Sequence, residues 1–255
     1  MNQHVIQQGI TESNRSFYNS LWSNRMIKAP ESFNTWPLIS ALLPAAADRL
    51  EIGPGLHPRL PIIGTNFVDI SLDAVNQLHM AGGTAELGEI NGLPFRDERF
   101  DLVCAFDVIE HSRDDRQVFA ELSRVLKDDG ILIMSVPLHP HLWTEFDGWA
   151  GHARRYVPDE LVSILADNQL VPEKSAAFGI QPAKQNPLKF CSWCNRQNPQ
   201  EALFVYNRVM LVSINFQRSL HMVNGLMETT DVKEIVLVCR RGARSPKSCS
   251  PGSTA

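Results

Sequence analysis

The sequence has few cysteines, no long apolar run and no excess of positive charge. Its 255 residues include five cysteines, too few and too scattered for a disulfide framework, which fits a reducing compartment. No uninterrupted apolar run reaches about 18 residues, so we expect no segment that spans a bilayer. The net charge of −4 and the isoelectric point near 6.1 argue against binding to nucleic-acid backbones or anionic membranes.

The N-terminus also lacks the features of a secretory signal. Its first residues, MNQHVIQQGITESNRSF, contain no apolar core, and we predict a cytoplasmic protein. In CSWC, Cys191 and Cys194 have the spacing of half a zinc site or a redox pair. A structural zinc needs four ligands and no second pair follows, so we predict free thiols.

Apolar runs alternate with helical periodicity, which predicts an α/β fold with a doubly wound, mostly parallel sheet. The predicted strands are DRLEI, TNFVDI, TAELGE, FDLVCAF, GILIMSV and, late in the chain, EIVLVCRR. Helical periodicity is clearest in DDRQVFAELSRVLKDDG, where Asp114 and Asp115 suit the positive helix start and Gly130 follows the end. A further helix is predicted in VPDELVSILADNQL, with Pro158 in its first turn.

The stretch RLEIGPGLHPRLP begins like a nucleotide-binding turn and then departs from one. Gly53 and Gly55 follow a predicted strand and allow a sharp turn that a ligand can approach closely. The third glycine of dinucleotide sites is replaced by His57 or Pro58. Only 11 residues separate Gly55 from Phe67, so we expect no full crossover helix here. These features disfavour a nicotinamide dinucleotide as the ligand.

Acidic residues follow the next three strands. Asp69 ends the second strand, where a carboxylate could accept hydrogen bonds from a ribose diol or could cap a helix. Glu89 follows the third strand and Asp107 the fourth. Ligands of open α/β sheets bind outside the carboxyl ends of the strands, so we expect this ordered set to meet around one ligand.

These residues resemble the class I S-adenosylmethionine-dependent methyltransferases, particularly their small-molecule branch, from about Arg49 to about Tyr156. The resemblance lies in four stretches: LEIGPG, VDIS, LPFRDERFDLV, and the block from DVIEH to ELSRVLKDDGILIMSVP. It implies a Rossmann-like sheet of seven strands with an antiparallel last strand. It also implies S-adenosylmethionine as the cofactor.

The resemblance implies a role for each matching residue. Glu51, Gly53 and Gly55 would shape the turn around the methionine portion, and Asp69 would hold the ribose. Adenine would lie along Glu89 and Ile90, although the family commonly has Asp where this chain has Glu89. Cofactor and acceptor would meet at Asp107 and His111. We predict His111 as a catalytic base, with a packing role as the alternative.

The segment LHPHLWTEFDGWAGHARRY follows the fifth strand and is rich in His, Trp and Arg. We place part of the acceptor pocket there. Arg154 and Arg155 could clamp an acidic acceptor or form a solvated pair. We predict no metal site, because methyl transfer needs no metal; the alternative is a site formed by His139, His141, Asp147 and His152. The predicted acceptor-binding residues are Trp22, His152, Arg155 and Tyr156.

The chain is accordingly divided into five segments. Residues 1–48 form a helical lid or a helix that merely covers the sheet, and residues 49–180 form the cofactor-binding core. Residues 181–230 form a helical insertion or cap that includes the apolar stretch EALFVYNRVMLVSINFQRSLHMVNGLM. Residues 231–241 supply the final strand, and residues 242–255 form a disordered tail.

The predicted function is methyl transfer from S-adenosylmethionine to a small-molecule acceptor. The alternatives are a regulatory protein that binds this cofactor without catalysis and, less favoured, a nicotinamide-dependent oxidoreductase. We expect neither nucleic acid nor integral membrane association. The acceptor, the atom that is methylated and the oligomeric state stay open, because a fold does not determine a substrate.

Overall fold

The structure is a computed structural model that describes residues 3–23, 25–179 and 217–243. The CSWC stretch, residues 181–216 of the predicted insertion and the tail beyond Gly242 and Ala243 lie outside the described residues. Among the described residues, no helix is both long and apolar enough to cross a membrane.

A single mixed sheet organises the described part of the chain. Its order is β3-β2-β1-β4-β5-β8-β6-β7, in which β1 to β5 are parallel and β8 is antiparallel to its neighbours β5 and β6. The doubly wound, mostly parallel sheet with an antiparallel last strand is therefore confirmed. The strands are β1 (Arg49–Ile52), β2 (Thr65–Asp69), β3 (Thr84–Leu87), β4 (Phe100–Ala105), β5 (Leu126–Pro137), β6 (Leu170–Ala177), β7 (Val223–Asn224) and β8 (Glu234–Arg241).

Six α-helices accompany the sheet in the described residues. Asp114 caps one of them by accepting a hydrogen bond from the Gln117 N–H, and Pro158 occupies the first turn of another, as predicted. The helices are α1 (Gln3–Trp22), α2 (Trp36–Leu42), α3 (Leu72–Met80), α4 (Asp115–Val125), α5 (Glu145–Ala150) and α6 (Pro158–Asp167).

Three predictions of secondary structure need correction. Helix α4 ends at Val125 rather than near Asp129, because Leu126 is fully buried and pairs with Phe100 of β4. Residues 217–227 are not helical, because the Ser175 hydroxyl on β6 bonds to the Gly225 carbonyl at 2.8 Å and receives the Met227 N–H at 2.8 Å. These bonds accompany the two-residue strand β7, an eighth strand where seven were expected.

The core lies on both faces of the sheet. On one face α4 and α6 bury residues such as Phe119 and Leu165, and on the other α2 buries Ile39. Burial on both faces is typical of parallel sheets and explains their nearly continuous apolar strands. No helix is present in residues 53–64, between β1 and β2, which confirms the shortened crossover.

Candidate active site

A cavity of about 200 Å3 lies at the carboxyl ends of β1 to β4. Its walls come from the segments that follow these four strands, and Tyr18, Leu21 and Trp22 of α1 form another side. Strand ends and the N-terminal helix therefore meet at the place where the predicted site residues were expected.

The turn after β1 accepts only glycine at two positions. Gly53 has φ +64°, and a Cβ on it would lie 2.5 Å from Cγ2 of Val108. Gly55 has φ +52°, and a Cβ on it would overlap the indole ring of Trp22. Both the left-handed backbone and the close neighbours exclude a side chain. The turn is thus packed against the segment after β4 on one side and α1 on the other.

Glu51 organises the segment that stands in place of the crossover helix. Its buried carboxylate accepts the N–H groups of Arg59 at 2.8 Å and Leu60 at 2.9 Å. Burial raises the pKa of Glu51 to about 7, against the opposing effect of these hydrogen bonds. A side chain on β1 thereby satisfies backbone donors that a helix would otherwise use.

Asp69 joins the glycine turn to the start of α3. One carboxylate oxygen accepts the Gly55 N–H at 2.8 Å and the other accepts the Ser71 N–H at 2.8 Å. Burial raises the pKa of Asp69 to about 6. The N-cap of α3 is Ser71, whose hydroxyl accepts the Ala74 N–H. The alternative in which Asp69 caps the helix is therefore wrong.

His57, which with Pro58 replaces the missing third glycine, contacts aromatic rings. Its ring centroid lies 5.1 Å from that of Trp22 and 5.9 Å from that of Phe33. Burial lowers the pKa of His57 to about 3, so its ring is neutral at pH 7. The neutral His57 ring therefore packs against Trp22 of α1.

Glu89 and Ile90 follow β3 and line the cavity. Glu89 lies 3.6 Å from Arg15 of α1 in a half-exposed ion pair. The predicted adenine segment is thus also in contact with the N-terminal helix.

Asp107 follows β4 and is held by a serine on β5. Its backbone, at φ +52°, donates an N–H to the Ser135 hydroxyl at 2.9 Å, and this hydroxyl donates to the Asp107 carboxylate at 2.7 Å. Burial, together with the adjacent Asp107, raises the pKa of Glu234 on β8 well above its usual range. Glu234 can therefore stay protonated beside Asp107.

His111 is half-buried and contacts α1 and the residue that follows α5. Its Nδ1 lies 3.1 Å from the Gly151 carbonyl, and its Nε2 lies 3.1 Å from the Tyr18 hydroxyl. A carbonyl can only accept, so Nδ1 carries the proton and Tyr18 donates to Nε2. Burial lowers the pKa of His111 to about 3, so the ring is neutral at pH 7.

The predicted acceptor residues separate into two groups. Trp22 lines the cavity, and His152 lies next to His111, with ring centroids 4.8 Å apart. Arg155 and Tyr156 are only 5% and 2% exposed and are not among the cavity walls. Tyr156 instead packs on Phe119 of α4.

The two arginines of the predicted acceptor segment are structural. Arg155 forms a buried ion pair with Asp147 at 2.8 Å, and Arg154 pairs with Asp115 at the start of α4. The solvated-pair alternative is therefore wrong for Arg155, whereas the Arg154 side chain stays 31% exposed. Asp147 also accepts the Thr144 N–H at 2.6 Å at the start of α5.

The metal-ligand set weighed from the sequence is not brought together. The His139 ring instead contacts the Thr229 carbonyl at 2.8 Å, and Asp147 is engaged by Thr144 and Arg155. The donor atoms that do converge belong to Glu110, His111 and His152.

Sequence reasoning missed several cavity residues. Arg59 is 5% exposed, lines the cavity and stacks over Phe33 with its guanidinium carbon 3.9 Å from the ring centroid. Asn14 and Tyr18 reach the cavity from α1. The aromatic composition of the N-terminal segment indicated a lid, but only packing identifies which residues face inward.

Comparisons with known proteins agree with this geometry. The profile of a family described as "Methyltransferase domain" matches residues 57–134. A stretch of 79 residues is 37% identical to a probable S-adenosylmethionine-dependent methyltransferase of Mycobacterium tuberculosis, and covers 29% of this chain and 28% of that protein. Residues 57–134 are therefore a methyltransferase domain, similar to those of the class I S-adenosylmethionine-dependent methyltransferases. Members of this class are enzymes that use S-adenosylmethionine as cofactor.

Further similarities extend over more of this methyltransferase. The Escherichia coli protein YafE is 26% identical over 149 residues, which cover 55% of this chain and 69% of YafE. A methyltransferase structure from Thermotoga maritima aligns with a TM-score of 0.56 at 16% identity, over 93% of this chain and 98% of that one. One from Methanosarcina mazei gives 0.52 at 13% identity, over 82% and 99%. At these identities the two structures show a shared fold.

Proposed function

We propose that this methyltransferase transfers a methyl group from S-adenosylmethionine to a small-molecule acceptor. The observation that carries the proposal is the covered cavity, in which the glycine turn, Asp69 and Asp107 face α1. A polymer would need an open groove and, for nucleic acid, a positive surface. The net charge of −4 also favours a small acceptor.

The cavity residues fit the cofactor by the following roles. Gly53 lines the cavity and would contact the methionine portion. Gly55 would hold the turn against Trp22, and Glu51 fixes the segment beyond them. Each Asp69 oxygen accepts one backbone N–H. A carboxylate oxygen has two lone pairs, so each keeps one for a ribose hydroxyl.

The adenine would lie along Glu89 and Ile90, which line the cavity at the end of β3. The cavity of about 200 Å3 is smaller than the roughly 300 to 1,000 Å3 of typical ligand sites. We therefore expect α1 to shift outward when the cofactor enters, with Tyr18 and Trp22 contacting ligand afterwards.

The acceptor would bind between Trp22, Asp107 and His111. When bound, S-adenosylmethionine supplies an activated methyl group on its sulfonium sulfur. The chain's contribution is chiefly to orient the acceptor and exclude water. Neutral His111 can accept a proton at Nε2, but a pKa of about 3 makes it a weak base. His152 would pack against His111. Arg155 and Tyr156 would support the cavity without contacting the acceptor, because they are not among its lining residues.

The test combines an acceptor panel with a matched pair of glycine variants. Purified protein is incubated with S-adenosylmethionine and small hydroxyl, amine and carbon acceptors, with transfer RNA and a protein mixture in parallel. We expect S-adenosylhomocysteine release with a small molecule only. Release only with a macromolecule would overturn the small-molecule proposal.

Gly53→Ala should abolish this release, because its Cβ would meet Val108 at 2.5 Å. Gly92→Ala is the control, since a Cβ on Gly92 meets nothing within 4 Å. Equal activity of the two variants would show that the glycine turn does not form the cofactor site.

A further inference from the structure

Three side chains of types that can bind metal ions converge beside the cavity. One donor atom from each of Glu110, His111 and His152 lies within 4.8 Å of the others. His111 is also a wall of the cavity. The cluster therefore lies where the segment after β4 meets the segment after α5.

The two imidazole rings are oriented by oxygen atoms on their Nδ1 sides. His152 Nδ1 lies 3.1 Å from a carboxylate oxygen of Asp147, and His111 Nδ1 lies 3.1 Å from the Gly151 carbonyl. Both rings can thus hold their Nδ1 protons and present an unprotonated Nε2. Metal-binding histidines are typically fixed in this way, by a carboxylate or a carbonyl on the other ring nitrogen.

Glu110 is buried without full compensation. The residue is 1% exposed, and its Oε2 has no hydrogen-bond partner among the described residues. Its other oxygen lies 3.8 Å from His152 Nε2, too far for a hydrogen bond. An orphaned buried carboxylate oxygen is costly, so a cation at this point would satisfy it.

A protonated His152 is the competing explanation. Its carboxylate neighbours raise the pKa of His152, against burial as the largest opposing influence. An imidazolium would pair with one Glu110 oxygen but would leave Oε2 unpartnered. It would also leave unexplained why a second, neutral imidazole lies within reach.

We propose that Glu110, His111 and His152 bind one divalent first-row transition metal ion, with Asp147 and Gly151 orienting the two imidazoles. Two imidazole nitrogens and one carboxylate oxygen suit Zn2+ and Co2+ better than Mg2+ or Ca2+. This site differs from the set weighed from the sequence and goes beyond the proposed methyl transfer.

The metal would compete with α1 for one atom. His111 Nε2 accepts the Tyr18 hydroxyl at 3.1 Å, and ligation through Nε2 would release that hydroxyl. Metal binding should therefore loosen the contact between α1 and His111.

The experiment measures Co2+ and Zn2+ binding to the full chain without an affinity tag, after treatment with a chelator. We expect one Co2+ per chain, with visible absorption bands that Zn2+ abolishes. Glu110→Gln and His152→Gln should each weaken binding more than tenfold. His79→Gln is the control, because His79 is exposed on α3, and it should bind like the parent.

A variant that keeps the three ligands provides a second test. Tyr18→Phe removes the competing hydroxyl and should raise the affinity for Co2+ by severalfold, even if the buried Glu110 variant does not fold. No saturable binding by the parent, equal binding by folded ligand variants, or an unchanged Tyr18→Phe affinity would each overturn the proposal. Because the readout is binding, failure of the proposed methyl transfer would leave this result unaffected.

Discussion

Replacement of Asp69 by asparagine should weaken cofactor binding strongly while changing the free energy of unfolding only a little. In the folded protein both carboxylate oxygens accept backbone N–H groups at 2.8 Å. Asparagine keeps one acceptor oxygen and places an NH2 group against the other donor. The mismatch leaves one buried donor unsatisfied, which costs about 1–3 kcal/mol.

A second effect opposes this loss. Burial raises the pKa of Asp69 from 3.8 to about 6, so ionisation destabilises the ligand-free protein by about 3 kcal/mol at neutral pH, at about 1.36 kcal/mol per unit. Asparagine carries no charge and avoids this cost. The free energy of unfolding should therefore change by no more than about 2 kcal/mol.

The stability difference between the parent and Asp69→Asn should depend on pH. A carboxyl group whose pKa is raised on folding stabilises the folded state, and this contribution is complete at pH values below its pKa in the unfolded chain. The contribution is lost as the pH rises through its pKa in the folded protein. The parent should thus lose stability relative to Asp69→Asn between pH about 4 and about 6. Urea unfolding at several pH values measures this difference.

Cofactor affinity should respond more strongly. Asp69→Asn removes one charge-assisted ribose bond of about 1.5–3 kcal/mol, which weakens S-adenosylhomocysteine binding roughly ten- to a hundredfold. Asp69→Ala should be worse, since it removes both acceptors. Calorimetry measures the affinity, with Asp73→Asn in the first turn of α3 as control. Unchanged affinity of folded Asp69→Asn would refute the ribose assignment.

Three further perturbations test the surroundings of the cavity. His57→Phe keeps an aromatic ring packed on Trp22. Because burial lowers the pKa of His57 from 6.5 to about 3, the free energy of unfolding of the parent should fall by about 2 kcal/mol relative to this variant between pH 7.5 and pH 5. Urea unfolding at the two pH values measures this difference. Arg155→Met should lower the free energy of unfolding by about 3 kcal/mol, since it leaves the buried Asp147 carboxylate without its arginine partner and with only Thr144 and His152 beside it. His111→Ala should lower turnover and leave S-adenosylhomocysteine affinity nearly unchanged, measured by product release and calorimetry.

Each of these has a result that contradicts it. A pH-independent difference between His57→Phe and the parent would mean that His57 titrates normally in the folded protein. The control for Arg155→Met is Arg116→Met, because Arg116 is exposed, and its free energy of unfolding should lie within about 0.5 kcal/mol of the parent's. Similarly small losses in both variants would show that the ion pair between Arg155 and Asp147 does not stabilise the protein. Unchanged turnover of His111→Ala would return His111 to a packing role.

Local patterns predicted much of the fold and of the cofactor site. Strand β8 coincides with the predicted stretch EIVLVCRR, because a continuous apolar run in an α/β chain is nearly always a buried strand. The glycine turn and the absent crossover helix were also predicted, since backbone conformation and chain length limit both locally. The convergence of Asp69, Glu89 and Asp107 on one cavity followed from the parallel order of the strands.

The sequence by itself therefore determined the layered fold, the strand-end residues and the family. Tertiary structure decided where α4 ends, because Leu126 gains a strand partner and burial in place of another helical turn. It also decided that Arg155 pairs with Asp147 while His152 approaches Glu110. Periodicity and propensity act over a few neighbouring residues, whereas contacts between distant residues depend on how the packed elements position their side chains.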